Sequence, residues 1–208
     1  MKKRLLNIIG QVRLYSIIDL LLFSLALKAD NPTIAGIILL HLGFIFYLEH
    51  VHAHSNRAKV PQFIWIILTI TGIFYFNSFA VIGFLVFSFL YSHKNKNYLG
   101  PYSPFFRGIQ YYFLAAGVLG FAHPLAFISI GLFSIRNFSG DLRDVTKDRK
   151  EKMKTLPIAM GFKKDIKSLH LIVLLLTTLV WWSLADISII WLIASYIIEI
   201  TTYNLTAR

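Results

Sequence analysis

The chain has 208 residues, of which 56% are hydrophobic and only 15% are charged, whereas soluble domains carry about a quarter charged residues. It contains no Cys, which excludes disulfide frameworks, thiolate metal sites and a cysteine nucleophile. Its 21 Lys and Arg exceed its 10 Asp and Glu and give a net charge of +11. In so apolar a chain this excess predicts membrane topology before it predicts a nucleic-acid partner.

Four long apolar blocks follow one another along the chain. Each exceeds the roughly 20 residues that one spanning helix needs, and each is interrupted near its middle by residues that favour turns. We therefore expect one all-α integral membrane domain over residues 1–208, a bundle of about eight transmembrane helices in four hairpins, with seven helices as the alternative. The blocks are 14–51, 62–92, 105–138 and 166–205, with breaks at Asp30-Asn31-Pro32, Asn77-Ser78, His123-Pro124 and Ala185-Asp186.

The basic residues lie on one side of this arrangement. Of the 21 Lys and Arg, only Lys28 lies at a hairpin tip. By the positive-inside rule, both termini are expected in the cytoplasm of a cell that carries the protein in its inner or plasma membrane. Because topology explains the positive charge, we expect a lipid bilayer as a partner and no nucleic acid.

A few polar side chains fall inside the predicted helices. Asp19 and Glu199 are acids at a depth where such residues normally face a bundle interior. Asp19 is expected either to pair with a nearby Arg or Lys or to orient an acceptor substrate, whereas Glu199 is expected to be structural or interfacial. His41 is expected to be a hydrogen-bonded interior residue.

The polar loop between the third and fourth hairpins carries three carboxylates. If the sixth helix continues into this loop, Asp141, Asp144 and Asp148 stand at i, i+3 and i+7 and share one face. Such carboxylates repel one another unless a cation lies between them, and Mg²⁺ suits carboxylates that share it with substrate phosphates. The alternative is a solvated loop. Nearby cations that could hold a diphosphate are Arg143, Arg149, Lys152 and Lys154.

The same loop resembles a known motif. The string Asp141-Leu-Arg-Asp144-Val-Thr-Lys-Asp148-Arg, followed by Thr155-Leu-Pro157 and Gly161, resembles the second aspartate-rich motif of the UbiA superfamily of intramembrane prenyltransferases. The likeness is strongest to the branch of chlorophyll synthase and archaeal geranylgeranylglyceryl phosphate prenyltransferases. Tyr91-Ser-His-Lys94 resembles the family's Tyr-and-Lys element after helix four, and Arg13 resembles the Arg that opens its first helix.

The resemblance implies a function. A UbiA-type enzyme transfers an isoprenyl group from a prenyl diphosphate to a lipophilic or aromatic acceptor. Mg²⁺ held by Asp141, Asp144 and Asp148 would neutralise the leaving diphosphate. The resemblance and the loop's charge together predict substrate-binding roles for Arg13, Tyr91, Lys94, Arg143, Arg149 and Lys154.

The family's first aspartate-rich motif is altered here. The matching stretch, Leu48-Glu49-His50-Val-His-Ala-His54-Ser-Asn56-Arg57, contains no Asp, and the family's ninth helix is not predicted. Glu49, His50, His54 and Asn56 could replace the motif as diphosphate ligands. The histidines could instead be interfacial bystanders, or bind a transition metal with a third ligand from elsewhere. The hypotheses are therefore a prenyltransferase, a catalytically degenerate relative that binds prenyl diphosphate or scaffolds a partner enzyme, and a small transporter.

Overall fold

The computed structural model describes residues 12–51, 61–96 and 98–203, and these residues are mainly helical, with no strand among them. The prediction of an all-α protein is confirmed. Eight helices of 13 to 21 residues dominate the described chain, together with a 3₁₀ turn at Gly100–Tyr102 and two short helices after the sixth. In chain order the helices are α1 Leu14–Ala26, α2 Asn31–Val51, α3 Gln62–Phe76, α4 Ala80–Ser92, α5 Ser103–Leu119, α6 Pro124–Arg143, α7 Val145–Lys150, α8 Leu156–Ala159, α9 Lys167–Ala185 and α10 Ile189–Tyr203.

The helices end at the predicted breaks, and local side-chain chemistry explains why. The Asp30 carboxylate accepts the Thr33 amide at 3.0 Å, as an N-terminal cap does. Asn77 adopts a left-handed conformation with φ 40° and ends α3. His123 accepts the Leu125 amide ahead of Pro124, which occupies the first helical position of α6. All four expected interruptions therefore separate helices.

Only some of these helices match the length expected of a membrane span. Among the described residues, α2 and α9 are long and apolar enough to cross a membrane, and α1, α3, α4 and α10 are shorter apolar helices. The 13 residues of α1 and of α4 span about 20 Å, which is less than the roughly 30 Å hydrocarbon core. The described residues contain eight long helices, as expected, whereas the prediction of about eight transmembrane helices stays a prediction.

The chain divides into two compact units. Unit 1 comprises Met1–Asn77 and Thr178–Arg208, and unit 2 comprises Ser78–Thr177. Within unit 1, α2 packs along α3, and α1 packs against both α10 and α2. Within unit 2, α5 packs between α4 and α6. The second predicted hairpin, α3 and α4, is therefore shared between the units, and α2 packs mainly against α3, not against α1, its predicted hairpin partner.

The interior of unit 1 combines an apolar core with buried polar groups. Phe23 and Trp181 meet edge to face, with ring centroids 4.9 Å apart. Thr178 lies between the two predicted buried acids, with its hydroxyl 3.3 Å from Asp19 Oδ1 and 2.5 Å from Glu199 Oε1. The expectation that both acids face a protein interior is confirmed, because neither is exposed.

His41 is likewise buried in unit 1, with its Nε2 3.3 Å from Ser16 Oγ. The expectation of a hydrogen-bonded interior histidine is therefore confirmed.

Close approach of α2 and α3 depends on Gly36. A Cβ atom at this position would lie 2.6 Å from the backbone nitrogen of Phe76, too close for either helix to remain in place. We expect Gly36→Leu to separate the helices and to lower the stability of the folded protein by about 3 kcal/mol or more, since overpacking costs about 1–3 kcal/mol even where side chains can shift.

Thermal unfolding in detergent measures this effect. Gly131→Leu is the matched control, because a Cβ at Gly131 of α6 meets no atom within 4 Å. Equal melting temperatures for the two variants would contradict the packing argument.

Candidate functional site

The predicted face of three aspartates is interrupted. Helix α6 ends at Arg143, Asp144 leaves the helical conformation with φ −111° and ψ 15°, and α7 begins at Val145. Arg143 also draws the Asp144 carboxylate toward itself, with Nε–Oδ1 and Nη2–Oδ2 distances of 3.0 and 2.6 Å. The expected continuous helix through Asp141, Asp144 and Asp148 is therefore wrong, because the helix breaks at the middle aspartate.

Asp141 is instead the centre of a buried polar network in unit 2. Its Oδ1 accepts a hydrogen bond from Lys94 Nζ at 3.1 Å, in an ion pair whose side chains are 13% and 6% exposed. Its Oδ2 accepts from Ser103 Oγ at 3.0 Å and from Asn137 Nδ2 at 3.4 Å. The loop after α4, the start of α5 and the last turns of α6 thus converge on one carboxylate.

Tyr91 connects this network to a second cation. Its hydroxyl donates to Asn137 Oδ1 at 2.9 Å. Lys94 Nζ lies 5.2 Å from the centre of its ring, and Arg107 Cζ lies 5.7 Å from it. Both distances fall within the range in which an aromatic ring attracts a cation. The predicted pair of Tyr91 and Lys94 therefore meets Asp141, and Arg107 joins it.

Arg107 is held by its own neighbours on α5. It donates to Gln110, and to the hydroxyl of Tyr111 at 3.1 Å. Gln110 is fully buried and donates in turn to Ser88 of α4. This series of hydrogen bonds extends the network around Asp141 into the interior of unit 2.

Asp148 is the second buried carboxylate of this region. It is 3% exposed, and its Oδ2 is buried without a hydrogen-bond partner in the described part of the chain. Burial raises the pKa of Asp148 to about 7; the charge of Lys94 opposes this effect, and those of Asp141 and Asp144 add to it. A carboxylate in this state favours an added proton or a cation.

Lys94 is held in its charged form. Burial alone lowers the pKa of Lys94, but the negative charges of Asp141 and Asp148 and the hydrogen bond to Asp141 outweigh that effect and raise it above its ordinary value. The ammonium group therefore stays protonated at physiological pH and stands opposite both buried carboxylates.

The other predicted cations of this loop have structural contacts. Arg143 is buried and places Nη1 3.4 Å from His170 Nδ1, in addition to its pair with Asp144. Arg149 donates to the carbonyl oxygen of Phe162 at 2.8 Å. Lys154 is exposed, and its carbonyl oxygen lies where a side chain at Gly100 would collide with it. These contacts hold the loop after α7 against α6 and the 3₁₀ turn.

The residues predicted to replace the first motif lie in unit 1 or outside the described residues. Arg13 Nη2 lies 3.2 Å from Glu49 Oε1, so these two predicted substrate-binding residues form an ion pair with each other. His50 is exposed at the end of α2. His54 and Asn56 lie outside the described residues, and their predicted roles stay predictions.

The residues around Asp141 and Asp148 fit a divalent cation in part. No group of three or more His, Cys, Asp or Glu side chains forms a metal-binding cluster within residues 12–51, 61–96 and 98–203. Mg²⁺, however, is commonly held by one or two carboxylates together with waters and substrate phosphates. The open Oδ2 of Asp148 and the nearby Asp141 meet that lower requirement.

Three contributors to the site were not predicted to act there: Ser103, Asn137 and Arg107. Asn137 stands four residues before Asp141, a spacing that places both on one face of α6, so the periodicity could have identified it. Ser103 meets Asp141 across 38 residues of sequence, and no local signal marks it.

Comparison with known protein families gives one match. Residues 127–201, a little more than a third of the chain, match the model of the VviA prenyltransferase family. The matched stretch includes Asp141, Asp144 and Asp148. No curated protein and no solved structure matches the chain. The match supports a transferase of the prenyltransferase class and is consistent with the resemblance to the UbiA superfamily.

Proposed function

We propose that the protein is a UbiA-type intramembrane prenyltransferase that moves an isoprenyl group from a prenyl diphosphate to a hydrophobic acceptor. The observation that carries this proposal is the buried network at the end of α6, in which Lys94 lies 3.1 Å from Asp141 with Asp148 close enough to affect both. A cation beside two carboxylates suits a diphosphate that arrives with its own metal ion. Asn137, Asp141 and Asp148 of this network lie within residues 127–201, which match a prenyltransferase family.

The chemistry follows from charge development. The bond between the allylic carbon and the diphosphate oxygen breaks, and the electron pair leaves on that oxygen. Lys94 and Arg107 are placed to stabilise the negative charge that develops there. An electron-rich carbon or a hydroxyl of the acceptor then forms the new bond to the allylic carbon and loses its proton. When bound at Asp141 and Asp148, Mg²⁺ would supply Lewis-acid neutralisation of the leaving group.

A lipid environment is supported by the outer faces of the helices. Four helices each expose a row of large apolar side chains at helical spacing, an arrangement that water disfavours and lipid tolerates. We propose that these rows face acyl chains and that the acceptor reaches the site from the bilayer. The rows are Phe63, Ile67, Ile70 and Phe74 of α3; Ile82, Val86 and Phe89 of α4; Leu169, Ile172, Leu176 and Leu179 of α9; and Ile190, Ile193, Ile197 and Ile200 of α10.

The proposed topology has several spans, with both termini in the cytoplasm. Lys28, at the first tip, donates to the carbonyl oxygen of Ala185, which ends α9 at the last tip, at 2.8 Å. Both tips therefore lie at one end of unit 1, as expected for hairpins inserted from the same side. We expect a reporter fused after Ala29 to be external and one fused after Arg208 to be cytoplasmic. The same location for both reporters would overturn the arrangement.

An assay with mixed substrates tests the reaction. Purified protein in detergent is incubated with labelled prenyl diphosphates of several chain lengths, pooled lipid and aromatic acceptors, and either Mg²⁺ or a chelator. We expect prenylated product with Mg²⁺ and little with the chelator. Binding of prenyl diphosphate with no product from any acceptor would reject the transferase and favour the alternative below.

The alternative is a catalytically degenerate relative that binds prenyl diphosphate or scaffolds a partner enzyme. It is favoured by the altered first motif, in which Glu49 is paired with Arg13. The assay separates the two proposals, because only an enzyme turns over more than one equivalent of substrate.

A further inference from the structure

Lys94 forms an ion pair with Asp141, a carboxylate that the proposed function assigns to a metal ion. Its ammonium group is 3.1 Å from Asp141 Oδ1, and the opposite oxygen, Oδ2, is engaged by Ser103 and Asn137. Both oxygens of Asp141 are therefore already hydrogen-bonded. A divalent cation that binds Oδ1 therefore comes close to the ammonium group of Lys94, and the two positive charges repel each other.

Both oxygens of Asp141 accept hydrogen bonds, whereas one oxygen of Asp148 accepts none from the described residues. Asp148 is nearly inaccessible to solvent, and its Oδ2 has no hydrogen-bond partner in the part of the chain that the structure describes. Asp148 also senses the charges of Lys94 and of Asp141. One positive charge of the protein thus pairs with Asp141 and acts on Asp148.

We infer that Lys94 is a built-in counter-ion that competes with Mg²⁺ for Asp141 and Asp148, and that it moves to the diphosphate when substrate binds. The inference rests on the proposed function, because it concerns the same site. It adds that metal and diphosphate bind cooperatively. Mg²⁺ replaces Lys94 at the carboxylates, and the diphosphate accepts the released Lys94. Such coupling acts equally in both directions.

The surroundings of Asp141 suit this exchange. Ser103 and Asn137 hold Oδ2, so the carboxylate stays in position when Lys94 leaves Oδ1. Asn137 is itself held by the Tyr91 hydroxyl at 2.9 Å. Lys94 carries a charge, whereas Ser103 and Asn137 do not, so a cation arriving at Oδ1 replaces that charge without disturbing the other two hydrogen bonds.

Binding of Mn²⁺, followed by electron paramagnetic resonance on the full-length protein in detergent without diphosphate, tests the competition. We expect Lys94→Met and Lys94→Gln to bind Mn²⁺ about tenfold or more tightly than the natural protein, within the range of ordinary coupling energies. Lys94→Gln is included because its amide can still donate to Asp141 and preserve the fold. Lys96→Met, which removes an exposed lysine two residues away, should leave the affinity unchanged.

Two outcomes would overturn the inference. One is Mn²⁺ affinity in both Lys94 variants that is equal to or weaker than that of the natural protein. The other is tightened binding that persists when Asp148→Asn is added, since the ion would then lie elsewhere. Tightened binding in a protein that forms no prenylated product would reject the proposed function and retain the competition between Lys94 and the metal ion, so the two failures are distinguishable.

Discussion

Asp141→Asn is expected to lower the rate of prenyl transfer by about 100- to 1,000-fold, the loss typical of removing one preorganised electrostatic group from an active site. The amide keeps hydrogen-bonding capacity toward Ser103 but no longer balances Lys94 or holds a cation. The measurement is turnover of labelled prenyl diphosphate at saturating Mg²⁺.

The matched control for this variant is Glu151→Gln. It removes a carboxylate from the same loop, but that carboxylate is partly exposed and lies 4.0 Å from Lys147 in a surface pair. Such pairs contribute little to stability, so this variant should retain its rate. Full activity of Asp141→Asn would reject the assignment of Asp141 to the site.

Asp148→Asn is expected to stabilise the metal-free protein above about pH 7 and to remove most of the dependence of its stability on pH between about pH 4 and 7. In the folded protein the pKa of Asp148 is raised to about 7 from an ordinary value of 3.8. As pH rises through this window, the unfolded chain loses its proton first, so the folded state loses stability. The total loss is up to roughly 4 kcal/mol, at 1.36 kcal/mol for each pKa unit.

Thermal unfolding in detergent with a chelator, at pH 5 and pH 8, measures this effect. The natural protein should melt at a lower temperature at pH 8, whereas Asp148→Asn should melt at similar temperatures at both. Asp186→Asn, which changes an exposed carboxyl group in a left-handed turn that Asn tolerates, should behave like the natural protein. The same pH dependence in Asp148→Asn and the natural protein would show that burial of Asp148 does not control stability.

The positions of the eight long helices followed from the sequence because their ends depend on local chemistry. Asn77 accepts a positive φ, and Pro124 begins a helix but cannot continue one. These effects act within a few residues, so the helix ends can be predicted without tertiary structure. Helix α4 is as short as its block allows, because the break at Asn77-Ser78 leaves 14 residues of block 62–92 and the helix has 13.

The site was predictable only for residues that belong to a recognisable sequence motif. Tyr91, Lys94, Asp141 and Asp148 were identified from motifs and meet in unit 2. Arg13 and Glu49 were also predicted to bind substrate, but in the structure they form an ion pair with each other. Spacing along the chain indicates which residues share a face and leaves open which opposite charge each of them meets.

The sequence by itself determined that the protein is helical and apolar, where its helices end and which loop carries the acids, because composition, turn residues and motif spacing act locally. Tertiary structure decided the rest. Helix α6 stops at Arg143 because Asp144 turns to pair with it, and Ser103 reaches Asp141 from a helix 38 residues away. Lys94 occupies the carboxylate assigned to a metal because packing of α4, α5 and α6 buries both charges together, and buried charges must pair.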